Sequence, residues 1–247
     1  MTSSRTSFRG PLAAALVSLI LILAWDFSGL DLPAARLFGQ PYGFPWRSSE
    51  PLLLWLHEVP RYASWVLLAG LLLAIRWPVS FLRQIDRAGR VQLALTVCLS
   101  VAVVSIIKTG SRTSCPWDLQ AFGGMARHVS HWAFGAGDGG PGKCFPAGHA
   151  SAAFGYLGGW FVLRHRAPKV AGRWLAVALL VGLVLGLAQQ MRGAHYMSHT
   201  LWTAWICWAV GLAIEFCAVR VRDFRDPSVQ ASGSAAPRLC PAVGGAE

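Results

Sequence analysis

Basic and histidine side chains recur in three short polar clusters, each at the end of an apolar segment. The clusters are Lys108–Asp118, Cys144–Ser151 and Gln189–His199. An arginine offers a planar fork that suits phosphate oxygens, and a lysine offers a point charge. An imidazole can act as a nucleophile or as an acid. A phosphate pocket with histidine chemistry is therefore predicted, and its candidate residues are Lys108, Arg112, His149, Arg192, His195 and His199.

The second cluster also predicts an anion site on the backbone. Pro146, Ala147 and Gly148 lead into an apolar segment, where the free N–H groups of a helix N-terminus would point outward. Gly148 allows a phosphate to approach closely. A zinc site built from His149, His195 and His199 is the alternative. The neighbouring cations oppose that alternative.

The composition indicates lipid as the main solvent of the chain. Hydrophobic residues make up 54% of it and charged residues only 13%, with a mean hydropathy of +0.46. Soluble domains average about 25% charged residues. The net charge of +11 is better explained by membrane topology and anionic lipids than by nucleic acid, because no basic helix or RNA-binding stretch accompanies it.

Apolar segments predict an all-α, polytopic membrane bundle with six transmembrane helices. They lie near Pro11–Phe27, Tyr62–Ile75, Val91–Ile107, His149–Leu163, Trp174–Met191 and Thr200–Val219. The first could instead be a secretory signal, but it lacks a clean cleavage site. The transmembrane domain would cover residues 1–225, and Asp226–Glu247 is predicted to be a disordered cytoplasmic tail.

The distribution of lysine and arginine predicts that both termini are cytoplasmic. With the N-terminus inside, fourteen of the twenty-two basic residues fall in cytoplasmic segments. Lys108, Arg112 and Arg192 break this preference by standing at outer ends of spans. We therefore expect them to have a function there, although interfacial snorkelling is the alternative. His57 and Glu58, on an amphipathic stretch, are interpreted as solvated interface residues.

Taken together, the clusters resemble the three-part signature of the type 2 phosphatidic acid phosphatase superfamily. That signature is Lys-x6-Arg-Pro, then Pro-Ser-Gly-His, then Ser-Arg-x5-His-x3-Asp. The resemblance covers roughly Val91–Trp208. It implies that Lys108 and the Gly148 amide bind phosphate and that His149 protonates the leaving group. It also implies that His195 attacks phosphorus, which gives a phosphohistidine that water hydrolyses without a metal or cofactor.

The first and third motifs depart from the family pattern. Cys115 stands at the first-motif Arg, Ala147 at the second-motif Ser, Gln189 at the third-motif Arg and His199 at the orienting Asp. We hypothesise that Arg112 and Arg192, each three residues from a lost arginine, supply the missing guanidinium groups. His199 would then fix the tautomer of His195.

Two other readings of these departures remain open. In an alternative register, Arg192 and His199 form the motif's Arg–His pair. Alternatively, the site has decayed and the chain is a non-catalytic relative.

Cys115 and Cys144 lie in the same long polar loop, beside the first two motifs. A disulfide between them would clamp the first cluster against the segment that carries His149, and two free thiols are the alternative.

The sequence thus predicts a lipid phosphate phosphatase in a bacterial inner membrane, with its active site facing the periplasm. Candidate substrates are a lipid A phosphate, undecaprenyl diphosphate, phosphatidylglycerophosphate and phosphatidate. The expected partners are the lipid substrate and the bilayer, with no nucleic acid and no obligatory protein. The alternatives are a phosphotransferase that uses the same histidine, a transporter and a structural membrane protein. A transporter would need polar groups at mid-membrane depth, and the third, fifth and sixth expected spans contain almost none.

Overall fold

Helices form the regular secondary structure of residues 8–133 and 135–225, which a computed structural model of the chain describes. In chain order they are α1 (Arg9–Ser28), α2 (Asp31–Arg36), α3 (Glu50–Leu53), α4 (Val59–Arg76), α5 (Arg87–Gly110), α6 (Ser151–Phe154), α7 (Gly159–Leu163), α8 (Pro168–Met191) and α9 (Met197–Arg225). A π-helical turn, Leu54–Glu58, joins α3 to α4, and the 3₁₀ turn Gly155–Gly158 joins α6 to α7. Further 3₁₀ turns are Ser80–Gln84, Pro116–Asp118 and Gln120–Phe122. The predicted all-α class agrees with this architecture.

Five helical segments of the described chain are long and apolar enough to cross a membrane. They are Arg9–Ser28, Glu50–Gln84, Arg87–Gly110, Pro168–Met191 and Met197–Arg225. The predicted count of six spans is not confirmed, because the fourth expected span is the shorter apolar helix Ser151–Leu163. At about 1.5 Å per residue it rises only about 20 Å, less than the roughly 30 Å of hydrocarbon.

Protein surrounds this short segment. Phe154, Leu157 and Phe161 are at most 1% exposed. Glycines let its neighbours come close, since a Cβ on Gly158 would lie 2.0 Å from Thr96 of α5. The indole of Trp174 in α8 donates to its backbone. The short helix therefore forms the centre of the bundle.

The long helices, in contrast, present apolar side chains outward. Ile20 of α1, Val66 of α4 and Leu180 of α8 are 65%, 70% and 64% exposed. Such faces are stable where lipid covers them. Together with the five long apolar helices, they fit a multi-pass membrane protein.

Tryptophans of α9 attach α1 to the bundle. The indoles of Trp205 and Trp208 donate to the Ala15 and Pro11 carbonyls of α1 at 2.9 and 3.2 Å. These bonds satisfy the indole N–H groups inside an apolar contact. Helix α1 thereby runs along α9 towards the polar loops.

The opposite end of α9 holds a buried charge network. Glu215 is 3% exposed, accepts a hydrogen bond from Gln92 of α5 at 2.6 Å and lies 3.5 Å from Arg164. Arg222 approaches the same carboxylate at 3.8 Å. These contacts tie α5, α9 and the end of α7 together, far from the histidine clusters. The predicted tail, Asp226–Glu247, lies outside the described residues.

Candidate active site

The first cluster begins in the last turn of α5, which carries Lys108. The lysine stem runs past the second cluster, because a Cβ built on Gly148 would lie 3.5 Å from Lys108 Cδ. The first two clusters are therefore in contact even though about forty residues separate them in sequence.

The second cluster is a turn held against α9. The Ala147 N–H donates to the His199 carbonyl at 3.2 Å, and the Thr203 hydroxyl donates back to the Ala147 carbonyl at 3.1 Å. The helical turns then begin with the bond from Ser151 N–H to the Gly148 carbonyl. His149 thus stands at the start of the central helix, as the sequence predicted, where backbone N–H groups are still free of helical partners.

The third cluster starts with the C-terminal cap of α8. Gly193 adopts a left-handed φ of 73°, and the N–H groups of Gly193 and Ala194 donate to the carbonyls of Gln190 and Gln189. This pair of bonds is the Schellman arrangement, which glycine permits at low cost. The cap reverses the chain so that His195 follows directly at the bundle's polar end.

A disulfide between Cys115 and Cys144 connects the first two clusters. The N–H of Trp117, two residues after Cys115, donates to the Gly193 carbonyl at 3.0 Å. All three clusters are therefore joined covalently or by backbone hydrogen bonds. The polar loop between them is also fixed, because the buried Asp138 carboxylate accepts bonds from the Ser114 N–H and hydroxyl.

One cavity of about 700 Å³ collects most of the predicted residues. From the sequence-predicted set it is lined by Lys108, Cys115, Gly148, His149, Arg192 and His195. Arg192 donates through Nη1 to Gln189 Oε1 at 3.1 Å, so both side chains face the same space. The volume lies within the roughly 300–1,000 Å³ of small-molecule sites.

The wall of this cavity turns apolar away from the cations. Residues of α4 and α5 form it, among them Trp65, Leu68, Val97 and Val101. A ligand with a phosphate at one end and hydrocarbon at the other matches this division of the lining.

Three charged or titratable residues outside the sequence-predicted set of site residues also line the cavity. They are His57, Arg61 and Lys143. The interpretation of His57 as solvated is wrong: its side chain is only 19% exposed, and its ring lies 3.7 Å from the His149 ring, centroid to centroid. His57 Nδ1 lies 3.0 Å from Glu58 Oε1. The four-residue spacing of His57 and Arg61 was the only sequence signal.

The structure does not bring Arg112 or His199 into this cavity. Arg112 is exposed, donates to the Gly135 carbonyl at 3.0 Å and lines a separate cavity of about 290 Å³. His199 is 1% exposed, and its Nδ1 has no hydrogen-bond partner among the described residues. Its ring stands edge-on to His195 with centroids 5.8 Å apart. The expected tautomer-fixing bond is therefore not formed through that nitrogen.

Burial and neighbouring cations keep the imidazoles of His149 and His195 neutral. Burial lowers the pKa of His149 to about 3, and the charges of His57, Lys108 and Arg192 act in the same direction. Burial likewise holds the pKa of His195 well below its ordinary value, assisted by Lys108. A neutral imidazole has a lone pair available for attack on phosphorus. A bound phosphate would add negative charge beside His149 and favour its protonation.

Among the described residues, one group has the spacing of metal ligands. It consists of Cys115, Cys144 and His195, whose ligand atoms lie within 4.8 Å of one another. The two sulfurs are bonded to each other in the disulfide, so they are not thiolate ligands here. The structure does not gather His149, His195 and His199 into such a group.

The fold and the cavity define a helical membrane protein with a cationic, histidine-containing pocket at one end of its bundle. A family model described as the PAP2 superfamily matches residues 89–222, more than half of the chain. The chain therefore belongs to the PAP2 superfamily. No curated protein and no solved structure matches it. Because the superfamily generally comprises phosphatases, the membership supports a phosphoric ester hydrolase function.

Proposed function

We propose that this protein hydrolyses a lipid phosphate monoester or diphosphate through a phosphohistidine at His195. The observation that carries the proposal is the shared cavity: Lys108, His149 and the Arg192–His195 segment come from different parts of the chain and line one space. Two cations beside a buried neutral imidazole suit the binding of a phosphate and attack on it.

The chemistry divides into two transfers. His195 attacks phosphorus, the bond to the lipid oxygen breaks, and His149 donates a proton to that leaving oxygen. A water molecule then attacks the phosphohistidine and returns a proton to His149. Lys108, Arg192 and the Gly148 amide hold the phosphoryl oxygens in both steps.

A lipid substrate follows from the apolar part of the lining. The cavity shares Ser64 and Ala152 with an apolar groove of about 420 Å³ between α4, the central helix and α8. A lipid tail in this groove would leave the phosphate beside Lys108. The candidate headgroups named from the sequence share this phosphate-and-tail chemistry.

The active site would face the periplasm of a bacterial inner membrane, with both termini in the cytoplasm. The bias of lysine and arginine supports this orientation. The Phe8 and Phe216 rings lie 5.7 Å apart, so the start of α1 and the last part of α9 are at one end of the bundle. The disulfide lies at the other end, as suits an oxidising compartment.

Phosphate release tests the proposed function. The purified protein should release inorganic phosphate from a lipid phosphate. We expect His195→Ala to lower kcat by about three orders of magnitude and His149→Ala by roughly 10²–10⁴-fold. The exposed His165, at the other end of the bundle, provides a matched control as His165→Ala.

A radiolabelled substrate detects the proposed phosphohistidine directly. A lipid carrying radioactive phosphate should leave acid-labile, alkali-stable label on the wild type and none on His195→Ala. Full activity of the His195→Ala protein would reject the assignment. Transfer of the label to an acceptor lipid in place of water would identify a phosphotransferase.

A further inference from the structure

A disulfide sulfur lies directly against the proposed nucleophile. Cys144 Sγ is 3.6 Å from His195 Nδ1 and 3.1 Å from the carbonyl oxygen of Ala194. Cys144 is fully buried and His195 is 4% exposed, so solvent does not separate them. The Nδ1 edge of the ring thus faces the disulfide, while the residue also lines the cavity.

The main chain of Cys144 also interacts with the His195 imidazole. A hydrogen bond to this main chain opposes the effect of burial, which holds the pKa of His195 well below its ordinary value. An imidazole that donates through Nδ1 carries its free lone pair on Nε2. Engagement of Nδ1 by Cys144 therefore leaves Nε2 as the nucleophilic atom.

The chain next to Cys115, the other half of the disulfide, is hydrogen-bonded to the same segment. Cys115 precedes Trp117, whose N–H donates to the Gly193 carbonyl at 3.0 Å. The chain on both sides of the disulfide therefore contacts the three residues that end in His195. Among the residues that the structure describes, His199 leaves Nδ1 without a hydrogen-bond partner, and no carboxylate forms an ion pair or a hydrogen bond with His195, so neither group provides this support.

We propose that the Cys115–Cys144 disulfide is a positioning device for His195, with Cys144 in the place of the orienting carboxylate. This inference rests on the proposed function, since it concerns the nucleophile of that reaction. The sulfur and the main chain of Cys144 are neutral, so they orient the His195 ring without stabilising an imidazolium by charge. Catalysis then depends on the redox state of a bond that does not itself react.

Reduction by a water-soluble phosphine tests the proposal. Two electrons convert the disulfide to two thiols, which frees Cys144 from Cys115. Loss of the partners that orient a metal-bound histidine typically costs about 10–100-fold in activity, and an imidazole that must be oriented for attack provides a comparable case. We expect reduced wild type to lose about 10–100-fold in kcat and in the rate of phosphohistidine formation. KM should stay within about threefold, because Lys108 and Arg192 are unchanged.

Two variants separate positioning from loss of folding. Cys115→Ser and Cys144→Ser should each reproduce the kcat of reduced wild type and should not respond to the phosphine. Cys217→Ser, at an exposed free cysteine of α9, should respond as the wild type does. Thermal unfolding is recorded for every sample, and activity is compared well below the lowest midpoint.

The outcomes distinguish this inference from the proposed function. A reduced, folded protein whose kcat stays within about twofold of the oxidised value overturns the positioning role. A loss that follows only the unfolded fraction, or that appears only in KM, overturns it too. If the oxidised wild type remains folded but releases no phosphate, the proposed function itself is rejected. Recovery of kcat on reoxidation of the wild type, but not of the serine variants, supports the inference.

Discussion

A second imidazole, tilted by 32°, packs against the ring of the proposed acid. The His57 ring lies 3.7 Å from that of His149, centroid to centroid, and His57 Nδ1 lies 3.0 Å from Glu58 Oε1. The π turn Leu54–Glu58 places both residues there, and π turns often occur at functional sites. We therefore expect His57 to hold the orientation of His149, although it lies outside the three motifs.

Substitution of His57 should reveal this contact. Aromatic pairs are worth about 0.5–1.5 kcal/mol beyond their area, so His57→Ala should lower kcat by roughly three- to tenfold. His57→Phe keeps a flat ring against His149 and should retain most of the activity. Steady-state phosphate release measures both. Equal, wild-type rates for the alanine and phenylalanine variants would refute a role for this ring contact.

The lowered pKa of His149 predicts sensitivity to acid. The unfolded chain binds a proton at this histidine near pH 6.5, whereas the folded protein does so only near pH 3. Between these values the unfolded state holds more protons, so stability falls as the pH is lowered, by at most about 1.4 kcal/mol per pH unit. The ligand-free protein should therefore melt at lower temperature at about pH 4.5 than at about pH 7.

The variant His149→Gln isolates this contribution. It removes the titrating group, so its melting temperature should depend less steeply on pH over the same range. Cys217→Ser, which changes an exposed free cysteine and no histidine, serves as the control and should keep the wild-type slope. Identical slopes for His149→Gln and wild type would show that His149 is not held neutral.

At the scale of elements, the connection after α1 caps α9. Asp31 Oδ1 accepts a hydrogen bond from the Ser198 N–H at 3.0 Å, and its other oxygen accepts one from the Ser198 hydroxyl. A carboxylate at a helix N-terminus satisfies a free N–H and complements the helix dipole. Helix α2, which begins at Asp31, therefore supports the segment that carries His195, although the family match begins only at residue 89.

Removal of this cap should destabilise the protein. Asp31→Ala is expected to lower the free energy of unfolding by about 1–2 kcal/mol, because the first turn of α9 loses its acceptor. Ser198→Ala keeps the backbone bond to Asp31 and should cost less. Chemical unfolding in detergent gives both values. A Ser198→Ala protein less stable than Asp31→Ala would contradict capping by the carboxylate.

The sequence predicted the elements better than the directions of side chains in the loops. Lys108, His149 and His195 stand at helix ends or after a glycine cap, so regular geometry limits where they point. Arg112 lies beyond the end of α5, and its bond to Gly135 decides its direction. The interpretation of His57 as solvated was wrong because the π turn inserts an extra residue and shifts the face of the helix on which His57 lies.

At the scale of the whole molecule, the two ends of the bundle differ in kind. One end carries the cavity, the disulfide and the histidines, and the other carries the buried network of Glu215 with Gln92 and Arg164. The short central helix connects them and is covered by its neighbours. Its length, not its hydropathy, is why the six-span prediction was not confirmed.

Reporter fusions test the proposed orientation. A fluorescent protein that matures only in the cytoplasm should fluoresce when fused after Glu247, while alkaline phosphatase at the same place should be inactive. Insertion of the reporters after Gly137, in the polar loop, should reverse both results. Fluorescence from the loop insertion would place the active site on the cytoplasmic side.

The continuity of the cavity with the apolar groove has a kinetic consequence. A substrate that arrives through the groove reaches the phosphate pocket past Ser64 and Ala152, without crossing bulk water. Its effective concentration is then its mole fraction among the surrounding lipids, not its amount per volume. Turnover in vesicles would fall when inert lipid is added at constant substrate, and would not respond to the volume of buffer.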